Sequence, residues 1–444
     1  MKNITILGAG LVGSLLSIYL SKRGYQISVY ERRPDPRKKG YMGGRSINLA
    51  LSDRGWRALE KVGIEQKIKE IAIPMHGRMM HDTQGKLTFQ PYGKEGQAIY
   101  SISRALLNIE LIDHAEKNTN VTFHFDQKCV EADLDNKILT LENTDSEEIN
   151  SISTDFIFGS DGAFSTARLS MQKKERFNFS QTYLDYGYKE LTIPPIDGKY
   201  AMEKNALHIW PRGNFMLIAL PNTDGSFTCT LFFPYKGAPS FESLKTEQDV
   251  FAFFQAYLPD TIPLIPEIAK AFFANPTASL VMVKANPWVY QTDFALIGDA
   301  AHAIVPFYGQ GMNAGFEDCL VLCEILDKNK DNWEISLQAY QESRIPDANA
   351  VAELALNNFI EMRDLVGDEK FLLRKKIEAR IHELYPDRWI PLYSMVTFSP
   401  TLRYSEALAI GKKQDKIMQE VMQQPDIQSK WERMNFEEIV QKLS

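Results

Sequence analysis

The segment that most constrains this chain is its first thirty residues. Asn3-Ile4-Thr5-Ile6-Leu7 is an apolar run of strand length, and it enters Gly8-Ala9-Gly10-Leu11-Val12-Gly13. Helical apolar spacing follows over residues 14–23, and a second strand-like run, 26–30, ends at Glu31. Strand, helix and strand in this order imply a parallel sheet with helices on its faces. Gly8, Gly10 and Gly13, with Leu11 and Val12 between them as further candidate cofactor contacts, let the backbone turn sharply and approach a pyrophosphate, which the free N–H groups of the following helix would face. Glu31 stands 18 residues after Gly13, where a carboxylate accepts hydrogen bonds from ribose hydroxyls. An acid there suits a free ribose, hence NAD or FAD over NADP, and the motif by itself does not choose between the two.

Two later stretches extend the pattern. Residues 155–168 run from a buried strand through Gly159-Ser160-Asp161-Gly162 into a small-residue helix start around Thr166. Residues 293–313 repeat the scheme: an apolar strand delivers Gly298 and Asp299, and a glycine-rich turn leads to Gly311, Met312 and Asn313. Ligands bind at such strand ends in open α/β sheets. A carboxylate at Asp299 can accept hydrogen bonds from a ribityl chain. A helix starting near Gly311 can place its positive end beside the pyrimidine side of a flavin and stabilise negative charge on the reduced ring. The three stretches in this order resemble the FAD-dependent aromatic hydroxylases. His302 follows a binding aspartate on a small-residue turn, so a structural role is expected for it.

Length and composition narrow the rest. A chain of 444 residues is expected to hold two or three domains. A net charge of −7 argues against a nucleic-acid partner, because phosphate contacts need a positive surface. The four cysteines, Cys129, Cys229, Cys319 and Cys323, make no CxxC and no zinc-ligand spacing, so no metal site and a reducing compartment are expected. No signal peptide and no apolar run of about 18 residues is visible, which points to a cytoplasmic chain without a transmembrane anchor.

Along the chain, residues 103–118 read as helix, 121–125 as strand, and 128–152 as a meander with acidic turns. From 183 to 280 several alternating strands with Pro/Gly turns read as an antiparallel sheet. From 334 onward the chain is mostly helical, with Pro346, Pro386, Pro391 and Pro400 expected to break it into segments, and 412–444 reads as amphipathic helix. The expected fold is α/β: a Rossmann-like FAD-binding domain of the glutathione-reductase type, as in p-hydroxybenzoate hydroxylase-like flavoproteins. Into it are inserted an antiparallel β-sheet substrate domain and, after it, a helical C-terminal part. The expected division is 1–75, 96–180 and 281–333 for FAD, 76–95 and 181–280 for substrate, and 334–444 for the helical part.

Several colinear stretches make the resemblance narrower. They are Gly44-Arg45-Ser46-Ile47-Asn48-Leu49-Ala50-Leu51-Ser52, Arg78-Met79-Met80-His81, Pro91-Tyr92-Gly93, His208-Ile209-Trp210-Pro211-Arg212 and Phe227 to Phe232. Gly309-Gln310-Gly311-Met312-Asn313, Asn358-Phe359-Ile360-Glu361-Met362-Arg363 and Pro391 to Phe398 follow. Together they resemble the kynurenine 3-monooxygenase family from Met1 to about Tyr404, and the Asn358 and Tyr393 segments are particular to it. The resemblance implies that Arg78 and Tyr92 hold the α-carboxylate of L-kynurenine. It implies that Asn358 and Tyr393 complete recognition from the helical part, and that Ile218, Leu220, Phe232, Pro306 and Phe307 wall the aromatic ring. Taken singly, Arg78 would read as a solvated arginine, and Tyr92, Phe232 and Tyr393 as core or rim aromatics. On the cofactor side it implies Arg32, Arg33, Ala50, Arg104 and the backbone near Val130, beside the glycine-rich stretches.

In that family NADPH passes hydride to tightly bound FAD, and O2 then gives a C4a-hydroperoxide. This oxidant attacks the ring carbon ortho to the amino group and yields 3-hydroxykynurenine, in tryptophan degradation or NAD synthesis. No essential acid–base residue is expected, because the amino group activates the ring. NADPH is expected at a transient site near the Asp-Gly stretch. Eukaryotic members carry a hydrophobic membrane-anchoring tail that this chain lacks, so a soluble bacterial enzyme is expected, with a homodimer as the candidate assembly. The alternatives are a hydroxylase of another aromatic acid, a non-catalytic flavin- or NAD-binding module, and an NAD dehydrogenase.

Overall fold

A computed structural model describes residues 3–38, 48–92, 96–361 and 369–443. Gly44 to Ile47, Gly93, Met362 and Arg363, quoted above, lie outside the described residues.

The opening strand Asn3–Leu7 is the centre of a six-stranded sheet. It pairs in parallel with Gln26–Tyr30 on one side and Phe156–Gly159 on the other. Val121–His124 and Phe294–Leu296 extend the sheet in parallel, and Val289–Tyr290 closes one edge antiparallel. Ile4, Ile6, Phe156, Phe158, Leu296 and Trp333 share one continuous buried core with the helix Leu11–Ser21. That helix starts three residues earlier than its apolar spacing suggested, with Gly10 as N-cap. Gly13 therefore lies inside the first turn, where an added Cβ would fall 2.0 Å from the Gly8 carbonyl oxygen. The third glycine is required by close packing of helix on strand end, which apolar periodicity cannot register. Residues 127–153 form the expected three-stranded antiparallel meander.

The second large sheet has seven strands, in the order Ala278–Asn286, Asn178–Ile193, Phe227–Pro234, Met216–Pro221, Ala206–Pro211, Gly77–His81 and Leu87–Pro91. All neighbours are antiparallel except Ala206–Pro211 with Gly77–His81. Period-two alternation gives the sheet two apolar faces. Leu217, Ala219, Leu231 and Phe233 face the helices Glu247–Tyr257 and Ile268–Ala274 through Phe253, Phe254 and Phe272. Met216, Ile218 and Phe232 face the other way, toward Phe307, Phe359 and the C-terminal helices.

Pro346 does not break its segment: the helix Trp333–Ile360 runs through it. Proline removes one N–H bond, and this helix offsets that loss by burying Tyr340, Val351, Leu354 and Ala355. The other prolines act as expected. Glu369–Leu384 ends before Pro386, Pro391 caps Leu392–Phe398, and Pro400 follows that helix. The terminal stretch is not one helix: Tyr404–Met422 stops ahead of Pro425, and two short helices, Ile427–Lys430 and Phe436–Gln441, follow. Among the described residues no helix is long and apolar enough to cross a membrane.

Candidate active site

The two sheets face each other across a cavity of about 370 Å³. Its cofactor side is built at the C-terminal ends of the parallel strands. Gly10, Leu11 and Val12 border it from the first glycine turn, Ser160, Gly162 and Ala163 from the second, and Asp299, Gly309, Gly311 and Met312 from the third. A Cβ on Gly10 or Gly162 would meet nothing within 4 Å, so both turns open onto free space. Gly298 sits at φ +62°, and an added Cβ would come within 3.0 Å of Val12, so glycine lets the third turn close on the first. Asp299 is exposed while Gly298 and Ala300 are buried, which leaves its carboxylate free to face a polar chain in the cavity. The helix Gly311–Lys328 begins at the cavity wall and offers its unpaired N–H groups there. Open glycine turns, a cavity-facing carboxylate and a helix start together fit a flavin dinucleotide.

Some of the expected cofactor residues stand back from the cavity and brace its wall. Asn313 is fully buried; its Oδ1 accepts from the Ser52 N–H at 3.0 Å, and its Nδ2 donates to the Ala50 and Gly309 carbonyls at 2.9 and 2.8 Å. It thereby fixes Ala50, which does line the cavity, against the helix start. Asp161 serves its own turn: Oδ2 accepts from the Thr166 and Ala167 N–H groups at 2.7 and 3.1 Å, and the Ser165 hydroxyl donates to Oδ1. Glu31 accepts from the Ala9 and Arg33 N–H groups, both at 3.0 Å, which holds it beside the first glycine turn. Arg104 lines the cavity, whereas Arg32, Arg33 and Val130 are exposed residues outside it.

His302 takes a structural place. Its Nε2 lies 2.5 Å from Asp318 Oδ2, its ring stacks on Trp288, and it is buried. Asp318 also accepts from the Gly298 N–H at 3.2 Å and from Arg344 Nε at 2.7 Å. Burial opposes its ionisation, but His302 and Arg344 outweigh that and hold its pKa down to about 2. Cys319 and Cys323 are buried on the same helix and all four cysteines are free.

The opposite side of the cavity comes from the seven-stranded sheet and the C-terminal helices. Ile218, Leu220 and Phe232 line it from alternate positions on two strands, and Pro306 and Phe307 from the loop after the third turn. Phe307 stacks on Phe359 with centroids 3.9 Å apart and meets Phe232 at 4.9 Å. Arg78 and Tyr393 reach the same cavity. The Arg78 guanidinium lies 4.6 Å from the Tyr393 ring centroid and 5.7 Å from that of Tyr92. Tyr393 stacks on Tyr92 at 5.3 Å and on Tyr308 at 5.5 Å. Arg78 Nε and the Tyr92 hydroxyl are buried with no hydrogen-bond partner among the described residues. Buried donors of this kind find partners, so an acceptor from outside the chain is expected between them. Asn358 is buried, and its Nδ2 donates to the Phe307 carbonyl at 2.7 Å, so it orients the Phe307 wall.

Met216, Thr230, Tyr188 and Tyr308 also line the cavity and were not anticipated. Met216 and Thr230 stand two residues from Ile218 and Phe232 on the same strands, so strand alternation could have found them. Nothing local marks Tyr188.

The fold and cavity define a flavoprotein with an FAD binding domain, and the family model of that description matches residues 1–355. The chain belongs to the kynurenine 3-monooxygenase family of that class. It is 51% identical over 440 residues to the kynurenine 3-monooxygenase of Christiangramia forsetii, covering 99% of this chain and 98% of that one. Identity to the Flavobacterium psychrophilum protein of the same name is 52% over 445 residues, covering 100% and 99%. The Sus scrofa protein of that name is 46% identical over 418 residues, covering 94% and 88%. Among solved structures, 2-methyl-3-hydroxypyridine-5-carboxylic acid oxygenase matches with a TM-score of 0.67 at 20% identity, covering 82% of this chain and 94% of that one. Pseudomonas aeruginosa PqsL, solved with 2-aminobenzoylacetate, matches with a TM-score of 0.63 at 17% identity, covering 82% and 97%. These two likenesses concern the fold.

Proposed function

We propose that the chain hydroxylates L-kynurenine to 3-hydroxy-L-kynurenine, with NADPH as reductant and O2 as co-substrate. The observation that carries this reading is the buried Arg78 guanidinium, its Nε without a partner among the described residues, framed by Tyr92 and Tyr393 at the end of an aromatic-walled cavity. Bound along the three glycine turns, FAD supplies the hydride-accepting and oxygen-activating chemistry. Arg78 offers a charge-assisted fork to the substrate carboxylate, and the Tyr92 hydroxyl is a further donor. Ile218, Leu220, Phe232, Pro306 and Phe307 hold the aromatic ring flat and keep water off the reacting face. The N–H groups at Gly311 and Met312, at the start of a cavity-lining helix, would favour negative charge on a flavin held there. The amino group of the substrate activates the ring carbon beside it, so the chain need not place a base there.

The deciding experiment is oxygen uptake by the purified yellow protein with NADPH and a panel of aromatic acids, with product identification. Uptake that depends on L-kynurenine and yields the 3-hydroxy product supports the reading. Preferential hydroxylation of a phenol or salicylate-like acid overturns it.

A further inference from the structure

Tyr393 belongs to a helix of only seven residues, Leu392–Phe398, that packs against the helices Tyr404–Met422 and Asp53–Val62. So short a helix leaves most of its C-terminal carbonyls without intrahelical partners. Two of those carbonyls, and two in the segment that follows the helix, are met by Arg54, a residue of the distant helix Asp53–Val62. Arg54 Nε donates to the Val396 carbonyl at 2.7 Å, and its Nη2 donates to that of Leu402, with those of Met395 and Ser399 close by at 3.4 and 3.3 Å. Arg54 is 1% exposed, and its guanidinium carbon lies over the Tyr404 ring, 4.0 Å from its centroid. Its remaining nitrogen pairs with Glu317 at 2.8 Å.

We infer that Arg54 is a positioning residue for the reaction: by capping the helix Leu392–Phe398 from outside, it sets the Tyr393 ring against Arg78. This inference rests on the kynurenine reading for its kinetic consequence, but not for its structural one. The arrangement suits a guanidinium, which alone offers several N–H donors from one rigid group to four carbonyls and a carboxylate. The cation also faces the negative end of the helix dipole. Glu317 carries the link onward. Its second oxygen pairs with Arg344 at 2.8 Å, Arg344 pairs with Asp318, and Asp318 accepts from the Gly298 N–H beside Asp299. One chain of buried contacts thus runs from the cofactor turn to the helix that bears Tyr393. The flavin side and the substrate side of the cavity are held in a common register by it.

The test compares wild type, Arg54→Lys and Glu317→Gln as flavin-loaded proteins. Amide hydrogen exchange is followed over residues 392–402 and, as a reference, over the strand Asn3–Leu7. KM for L-kynurenine and the fraction of NADPH oxidation that ends as hydrogen peroxide are measured alongside. Arg54→Lys is expected to speed exchange over 392–402 about tenfold while the reference strand stays protected. It should also raise KM about tenfold and increase peroxide release, since lost charge-assisted bonds are worth roughly a decade or more. Glu317→Gln keeps an acceptor for Arg54 and should shift all three in the same direction by less. Wild-type exchange over 392–402 in a folded Arg54→Lys protein overturns the inference. So does a uniform loss of protection with KM and coupling unchanged. Should Arg54→Lys not fold, wild-type exchange over 392–402 in Glu317→Gln overturns it equally. If the wild type does not turn over kynurenine at all, the functional reading fails, and the exchange arm still decides the inference.

Discussion

The Arg78 guanidinium faces the Tyr393 ring at 4.6 Å, joining a strand of the seven-stranded sheet to a helix near the C-terminus. Cation–π contacts of this kind are worth about 0.5–2 kcal/mol, and here they also fix the plane of the fork. A carboxylate entering between Arg78 and Tyr92 would meet donors already oriented for it.

Replacing Arg78 by lysine keeps the charge and loses the fork. Hydrogen bonds to charged groups contribute about 1.5–3 kcal/mol, so KM for L-kynurenine should rise roughly 10- to 100-fold. The change in kcat should be smaller. Steady-state NADPH oxidation checks this, and an unchanged KM would remove Arg78 from the binding site.

Phe232 and Phe307 meet ring to ring in the cavity wall, with centroids 4.9 Å apart. Phe232→Ala should cost about 3–5 kcal/mol of stability and open the cavity to water. We expect NADPH consumption to persist while more of it ends as hydrogen peroxide. A variant that stays fully coupled would show that this wall does not protect the reacting face.

Gly13 has no room for a methyl group, since the clash would be with the backbone of Gly8. Gly13→Ala should either displace the first glycine turn or cost about 1–3 kcal/mol in strain. The expected protein is purified with little flavin, read from the ratio of visible to ultraviolet absorbance. Stoichiometric flavin in Gly13→Ala would mean that the turn tolerates the shift.

Acid should destabilise the seven-stranded sheet through a buried histidine pair. His81 Nδ1 lies 2.7 Å from Asp260 Oδ2, His81 Nε2 lies 2.9 Å from His208 Nδ1, and His208 Nε2 lies 2.8 Å from the Glu203 carbonyl. Burial lowers the His208 pKa from its usual 6.5 to about 4. The unfolded chain therefore binds more protons than the folded one between these values. Stability conferred by neutral His208 is complete above pH 6.5 and is lost as pH falls toward 4. The shift corresponds to about 3 kcal/mol. Thermal unfolding midpoints from pH 7 to pH 4 should fall less steeply in His208→Gln than in the wild type. Equal slopes would show that another group governs the acid limb.

Much of the cofactor side was legible in the sequence because its signals are local. Gly10, Leu11, Val12, Asp299, Gly311 and Met312 lie within short strand–turn–helix units, and backbone geometry alone brings them to the ends of neighbouring strands. Even there the resolution was partial. Asp161 and Asn313 belong to the same units, and their side chains bond the chain's own N–H and carbonyl groups. A motif specifies where the turn goes, and not whether a given polar atom is left over for a ligand.

The substrate side was legible only through resemblance. Arg78, Phe232 and Tyr393 carry no local mark that separates them from a surface arginine or a core aromatic.

What the sequence by itself determined is the set of elements: a glycine turn after a parallel strand, two further turns of the same kind, an alternating sheet, and a helical end. Periodicity and glycine placement act over a few residues and are written in the chain directly. Only the tertiary structure decided which side chains meet. Arg54 reaches the carbonyls of residues 395–402, and Tyr393 comes to rest between Tyr92 and Tyr308, because separate helices pack on one sheet face. Those contacts are set by the burial of apolar surface between distant segments, an energy that no local pattern encodes.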